Sequence, residues 1–306
     1  MTRACWFWLV TTCLVVRAVP GADTIRVATY NVENYILAAT ESRPAKTEAS
    51  KDKVAAVLQG LSPDLVGLQE VGGKPALMDI QSRLKARGLA LPHAEIVHGF
   101  DTNIQVALLS RFPITALRPH VDDTYLLSGR RFRVSRGILE ADVQVSPGYR
   151  LTVFVVHLKS RRAVPEADEG EMRRQEARIL REKVVERLKL QPKANVVVLG
   201  DFNDTKDSES VRTLVGRGAD QWVDTRPSER NGDTGFSPNP RWQPRTVSWT
   251  HYYGVEDSYS RIDYVLLHPN AASEWDATAS FLPTVPDWGL ASDHRPVVVT
   301  LRAADR

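Results

Sequence analysis

Near the middle of the chain stands Val196-Val197-Val198-Leu199-Gly200-Asp201-Phe202-Asn203-Asp204. Four apolar residues in a row predict a strand buried on both faces. The glycine after them releases the chain into an acid, an amide and a second acid. Outward on the N-terminal side, a charged helix is expected from about Glu166 to Leu190, with Leu180, Val184 and Leu188 on one stripe and Glu169 and Arg173 as an i,i+4 pair. Before it come three strand candidates, Ile104–Leu109, Ile138–Val145 and Leu151–Val156. Still earlier, Ile25–Tyr30 and Leu65–Gln69 read as strands. Between and after them, helices are marked by Val54, Leu58 and Leu61 within Lys51–Leu61, and by Leu77, Ile80 and Leu84 ahead of Gly88. Ile262–Leu267 and Val297–Leu301 follow on the C-terminal side. Strands and helices interleave throughout, which favours a layered α/β domain over separate all-α and all-β halves.

The polar residues at the ends of these strands carry the functional reading. Asn31 follows the first strand and Glu70 the second, and His157 closes Leu151–Val156. Asp201 and Asn203 follow the buried strand, Asp263 opens Ile262–Leu267, and Asp293-His294 precede Val297–Leu301. Singly, each has a plain structural explanation as a turn residue or a hydrogen-bonded histidine. Strand starts and ends meet at one edge of a mixed sheet, so together they predict one cleft. Carboxylates and amides without cysteine suit a hard cation, Mg²⁺ or Mn²⁺, with Ca²⁺ a further candidate. Such an ion neutralises phosphate charge, while one histidine activates water and another meets the phosphoryl oxygens or the leaving group. His157 and His294 are the two that fit. His93, His98, His120 and His268 lack such company, and His251 is kept open because it lies in the Thr225–Tyr259 loop with Trp242, Trp249, Tyr252 and Tyr253. Those aromatics read equally as a functional wall or as pins for the loop.

The N-terminus has a basic residue, Arg3, an apolar run from Trp6 to Val16 and small residues around Gly21-Ala22. This order describes a secretory signal peptide over residues 1–22, with one domain over 23–306. The run is short of the about 20 apolar residues a spanning helix needs, so no transmembrane anchor is expected. Both cysteines, Cys5 and Cys13, fall in that segment, which leaves the exported domain to rest on its core without disulfides. A secreted or periplasmic location is expected, as a monomer with no obligate protein partner. The net charge of +3 includes Arg3 and Arg17, and no basic tail marks a polyanion binder. The cluster from Arg130 to Arg136 reads as a phosphate cradle or as solvated surface.

Six segments stand in a telling order: Thr29-Tyr30-Asn31-Val32-Glu33-Asn34, Leu68-Gln69-Glu70-Val71, Val156-His157-Leu158-Lys159-Ser160, Gly200-Asp201-Phe202-Asn203-Asp204, Arg261-Ile262-Asp263-Tyr264 and Ser292-Asp293-His294-Arg295-Pro296-Val297. They resemble the motifs of the endonuclease/exonuclease/phosphatase superfamily, the deoxyribonuclease I-like fold. The resemblance implies a four-layer α/β sandwich: two mixed β-sheets packed face to face, with helices on the outside. It implies that Asn31 and Glu70 form the metal side, with Glu70 the principal ligand and Asp293 near the metal. It implies that Asp201 and Asn203 position the nucleophile or leaving group and the phosphate, and that Asp263 orients the catalytic His294. His157 resembles the second histidine of the deoxyribonuclease I, sphingomyelinase and phosphatase branches. Asn103 and Arg136 match more loosely as phosphate-contacting or histidine-supporting groups.

His157 stands where abasic-site endonucleases usually carry Pro-Asn, which disfavours that branch. Tyr259-Ser260-Arg261-Ile262-Asp263 lacks the signature of inositol-polyphosphate phosphatases, and no long apolar hairpin of the sphingomyelinase kind is evident. The expected activity is therefore a secreted, divalent-metal-dependent phosphodiesterase acting on nucleic acid. A phosphomonoesterase, or a phospholipase C-like enzyme for a small or lipid phosphate, is the alternative. An inactive binding module is disfavoured, because no ligand or histidine is missing.

Overall fold

The computed structural model describes residues 24–231 and 247–303. The expected signal peptide and Trp242 lie outside them. Two six-stranded mixed sheets form the body. The first runs, edge to edge, Trp275–Phe281, Val297–Arg302, Thr24–Tyr35, Leu65–Val71, Gln105–Ser110 and His93–Val97. The second runs Val223–Asp224, Asp263–Leu267, Asn195–Asp201, Tyr149–His157, Ile138–Ser146 and Ile114–His120. Their centres share one pattern. Thr24–Tyr35 is parallel to Leu65–Val71 and antiparallel to Val297–Arg302; Asn195–Asp201 is parallel to Tyr149–His157 and antiparallel to Asp263–Leu267.

The alternation of strand side chains builds three cores. Val197 and Leu199 point between the sheets with Val27, Leu65, Val153, Val155, Val265 and Val299. Val196 and Val198 point outward, onto the Glu169–Leu190 helix through Ala177, Leu180 and Val184. On the other outer face, Glu48–Leu61 and Lys74–Ala86 bury Val54, Leu58, Leu77, Ile80 and Leu84 against Ala28, Tyr30, Val66 and Leu68. Helix, sheet, sheet, helix: the expected four layers are present. Close approach of the sheets requires Gly67, because a Cβ there would lie 2.1 Å from Leu199 Cδ1 and 3.0 Å from Val155 Cγ1.

Several elements depart from the sequence expectation. The first helix begins at Glu48, where the Thr47 hydroxyl accepts the Ser50 N–H as an N-cap, and the long helix begins at Glu169 behind the Asp168 cap. Arg173 does not pair with the Glu169 carboxylate. It donates instead to Asp204 Oδ2 at 2.9 Å and to the Lys159 and Ser160 carbonyls. The Arg130–Arg136 cluster is divided. Arg130, Arg131 and Arg133 are exposed on a hairpin with Thr124–Leu127, whereas Arg136 is buried.

Candidate active site

The inter-sheet core becomes polar at one end, and the site is that end. Extending the inward-facing rows by one residue carries Val197-Leu199 to Asp201, Val153-Val155 to His157, Leu267-Val265 to Asp263 and Val27-Thr29 to Asn31. Register makes the meeting exact in the second sheet: Asp201 lies opposite His157 on one side and opposite Asp263 on the other. Asp201, His157, Asp263, Asn31 and His294 are all buried. Gly200 is required just before them. Its φ is 145°, and a Cβ would sit 2.0 Å from the Val156 carbonyl oxygen.

Asp201 is the centre. His157 Nε2 lies 3.4 Å and His294 Nε2 3.8 Å from its Oδ2. Asn31 Nδ2 donates to the same oxygen at 3.0 Å and approaches Glu70 Oε1 at 3.4 Å. Asn203 donates its backbone N–H to Asp201 Oδ1 at 2.8 Å, and its amide reaches the Leu158 carbonyl at 3.0 Å. His294 Nδ1 is 2.8 Å from Asp263 Oδ2. Thr250 secures Asp263 from behind by accepting its backbone N–H at 3.1 Å.

The backbone is strained where these side chains are aimed. Asn31 does not end its strand, which continues to Tyr35 across an irregularity where Glu33 and Asn34 take φ of 43° and 47°. Glu70 has φ of 66° and Asn203 φ of 53°. Strict alternation would point Glu70 toward the helices, since Leu65 and Gly67 face the other sheet; the left-handed turn breaks the pleat. Its carboxylate then accepts the Asn34 N–H at 2.8 Å and comes within 4.0 Å of His157 Nε2. Four non-glycine residues in this region, where the ends of the two sheets meet, is the pattern of strain held at a working site.

Two histidines flank one acid with opposite electrostatics. Burial and the Arg136 guanidinium hold His157 well below the ordinary imidazole range. Burial also opposes charge on His294, but Asp263 and Asp201 outweigh it and hold its pKa well above that range. Burial pushes Asp201 up to about 7, against the pull of His294. At neutral pH the site therefore pairs a charged His294 with a neutral His157.

The remaining expected residues lie around this centre. Asp293 is half exposed, with Oδ2 3.7 Å from His251 Nε2 and Oδ1 3.9 Å from His294 Nε2. Arg136 donates to the Leu158 carbonyl at 3.2 Å and faces Asp101 at 3.6 Å. Asn103 is at the rim, its backbone N–H held by Asp101 Oδ1 at 2.9 Å. Sequence reasoning left out Arg43, which donates to Asn34 Oδ1 and lies 3.9 Å from Asp101. His251, kept open on the sequence, has its ring 4.5 Å from that of His294. His251 belongs to a hairpin, His251–Tyr253 with Ser258–Ser260, tied to the site by Tyr252 N–H on the Asp293 carbonyl at 3.0 Å. Tyr252 meets Tyr259 and Trp288, and Trp249 meets Trp288, so the described loop aromatics form one wall.

Among the described residues, two groups bring together atoms able to hold a cation, His251–Asp293–His294 and Asp201–Asp263–His294. With Glu70 beside them, the donors are carboxylate oxygens and imidazole nitrogens, which fit a divalent cation that prefers oxygen and tolerates nitrogen. Asn31 turns its oxygen to the Glu33 N–H at 3.0 Å and bridges Glu70 and Asp201 through its nitrogen.

Residues 28–294 match the family model described as the Endonuclease/Exonuclease/phosphatase family. The chain belongs to that family. Members are divalent-metal-dependent hydrolases of phosphoester bonds, and so is this chain. Among solved structures it is similar to truncated Caenorhabditis elegans TDP2, at 18% identity over 92% of this chain and 98% of that one, with a TM-score of 0.61. An endonuclease/exonuclease/phosphatase from Bacteroides vulgatus gives 16% identity over 92% and 99%, with a TM-score of 0.61. One from Beutenbergia cavernae gives 19% identity over 92% and 72%, with a TM-score of 0.58. These likenesses are of fold, and the fold is the deoxyribonuclease I-like sandwich. No curated protein matches the chain by sequence.

Proposed function

We propose that this chain is an exported, Mg²⁺- or Mn²⁺-dependent phosphodiesterase whose substrate is nucleic acid. The observation that carries the reading is the pair of histidines set within 4 Å of Asp201 Oδ2, with surroundings that drive the His294 pKa up and the His157 pKa down. His294, oriented by Asp263, presents Nε2 to the reacting phosphate, while neutral His157 is free to accept a proton or a phosphoryl contact on the other side. Asp201 and Asn203 orient the attacking or departing oxygen, and Arg136 with Arg43 faces the phosphate charge. Glu70 and Asp293 would hold the cation, with Asn31 fixing Glu70. When bound, that ion neutralises phosphate charge and stabilises the leaving oxygen.

Export is supported by Arg3, the Trp6–Val16 run and the small residues after it. Among the described residues no helix is long and apolar enough to cross a membrane. Nucleic acid is supported by Arg43 and Arg136, by Arg161, which donates to the Asn203 carbonyl at 3.1 Å, and by the exposed Arg130, Arg131 and Arg133.

A second reading is favoured by a different wall. A cleft of about 420 Å³ beside His294 is lined by Tyr252, Trp288, Gly289, Glu33, Asp287 and Asp293. Its charged residues are all acids, which oppose a second phosphate and suit a small neutral or cationic substituent on the phosphorus. A panel of single- and double-stranded DNA, RNA, phosphocholine esters and phosphomonoesters with Mg²⁺ or Mn²⁺ separates the two. Cleaved polymer is expected. Release of inorganic phosphate, or turnover confined to headgroup esters, would overturn the nucleic-acid reading in favour of the second.

A further inference from the structure

The long helix reaches the site without contributing a side chain to it. Glu176, on its buried face, is fully enclosed, and burial raises its pKa above the ordinary carboxylate range while the hydrogen bonds it accepts pull it back. Its Oε1 accepts the Ser135 backbone N–H at 2.9 Å and the Ser135 hydroxyl at 2.6 Å. Its Oε2 accepts the Lys159 N–H at 2.7 Å. One carboxylate therefore joins two chain segments distant in sequence: the one that leads into Arg136 and the one that follows His157.

The Lys159 N–H belongs to the peptide unit whose carbonyl is that of Leu158. That carbonyl accepts Asn203 Nδ2 at 3.0 Å and Arg136 Nη1 at 3.2 Å. A peptide is planar, so fixing its N–H fixes its oxygen. The chain of contacts runs from carboxylate to N–H to carbonyl to the two side chains, and each hydrogen bond polarises the next. One turn earlier on the helix, Arg173 completes the grip by donating to the Lys159 carbonyl at 3.1 Å and to Asp204 Oδ2 at 2.9 Å. The same segment is thus held at an N–H by a carboxyl oxygen and at a C=O by a guanidinium. The Leu158 N–H is spent on the Asp201 carbonyl at 3.0 Å, so the unit has no slack on the sheet side.

We propose that Glu176 is a positioning residue: through the Leu158–Lys159 peptide it sets the orientation of Asn203 and Arg136 toward the phosphoester. Asn203 and Arg136 have their own tasks at the phosphate, a premise that rests on the proposed function; Glu176 touches neither substrate nor metal. A buried carboxylate on an outer helix would serve stability alone if it met only helix or core groups. Here every hydrogen bond it accepts comes from a segment that borders the site.

The test is a double-mutant cycle on the full chain, with bis(p-nitrophenyl) phosphate and Mn²⁺ as the probe. Glu176→Gln leaves one acceptor oxygen where the Ser135 and Lys159 N–H groups use two, so the two segments can no longer be held together as before, and kcat is expected to fall about 10- to 100-fold, as for misplacement of reacting groups by about 1 Å. In the Asn203→Ala background the same substitution is expected to cost at least about 3-fold less than in the wild type, because only the route through Arg136 remains. An equal fold-loss in both backgrounds would overturn the proposal and leave Glu176 a stabilising residue. Arg173→Lys, which withdraws the donor from the other side of Lys159, reads the same coupling where Glu176→Gln does not fold.

A second readout does not depend on turnover. Amide exchange at Lys159 and the side-chain amide NMR signals of Asn203 are expected to change together in Glu176→Gln. Unchanged signals from both would also overturn the proposal. An inactive wild type with these signals coupled would instead contradict the proposed function and leave the positioning intact.

Discussion

His294 and His157 face the same carboxylate oxygen and differ in charge because their neighbours differ. His294 has Asp263 at 2.8 Å on its far nitrogen, whereas His157 has the Arg136 guanidinium nearby and a buried Nδ1 with no hydrogen-bond partner among the described residues. The carboxylate raises the His294 pKa against burial, and removing its charge must lower it. Asp263→Asn is therefore expected to move the limb of the rate–pH profile governed by His294 toward acid. It should also reduce kcat by about 10²–10⁴-fold, through loss of imidazole orientation and charge stabilisation. Rate–pH profiles of the two proteins check this; an alkaline shift, or an unmoved profile with wild-type kcat, would contradict it. Gly200 is the other decisive residue, at the last step before Asp201. Gly200→Ala forces a Cβ against the Val156 carbonyl at a φ of 145° and is expected to cost roughly 2–4 kcal/mol. Urea unfolding measures it, and a midpoint equal to wild type would show that the backbone tolerates the Cβ.

At the scale of elements, the strands that bear the site were legible because burial on both faces writes an uninterrupted apolar run. Val196–Leu199 is such a run, and its alternation between two cores is what the structure contains. The residues after each run were legible for the same reason: polarity begins where the inter-sheet core ends. Two features were not legible. Glu70 occupies an outward position in the pleat, and only its left-handed backbone aims it at Asn31 and His157. The hairpin carrying His251 has strands of three residues in a Pro-, Gly- and Arg-rich stretch, too short for a period-2 signal. Its bond to Asp293 is a backbone contact, which side-chain identity does not encode. Arg173 is a third lesson: helical spacing offered Glu169 as its partner, and the loop after His157 offered buried carbonyls and Asp204 in its place. Interior acceptors outweigh an exposed i,i+4 pair worth about 0.3–0.5 kcal/mol.

The whole molecule is two sheets of matching strand pattern, packed so that the polar ends of both lie together. The first sheet brings Asn31, Glu70 and the Asp293-His294 turn, and the second brings His157, Asp201, Asn203 and Asp263. Neither sheet carries a complete set, so the chemistry depends on the packing that Gly67 permits. The surroundings are unequal: arginines flank one side of Asp201, and aromatic rings with carboxylates flank the other. This polarity, rather than the nearly balanced net charge of +3, bears on which phosphoester is taken. On the proposed function, this meeting of sheet edges is a metal-dependent phosphodiesterase centre. Its most direct test is the rate of single-stranded DNA cleavage with Mg²⁺, with EDTA and with Mg²⁺ restored, in the wild type and in His294→Ala. Cleavage is expected to stop with EDTA, to return with the cation and to fall by at least about 10²-fold in the variant. Cleavage that persists in EDTA, or a variant as fast as the wild type, would contradict it.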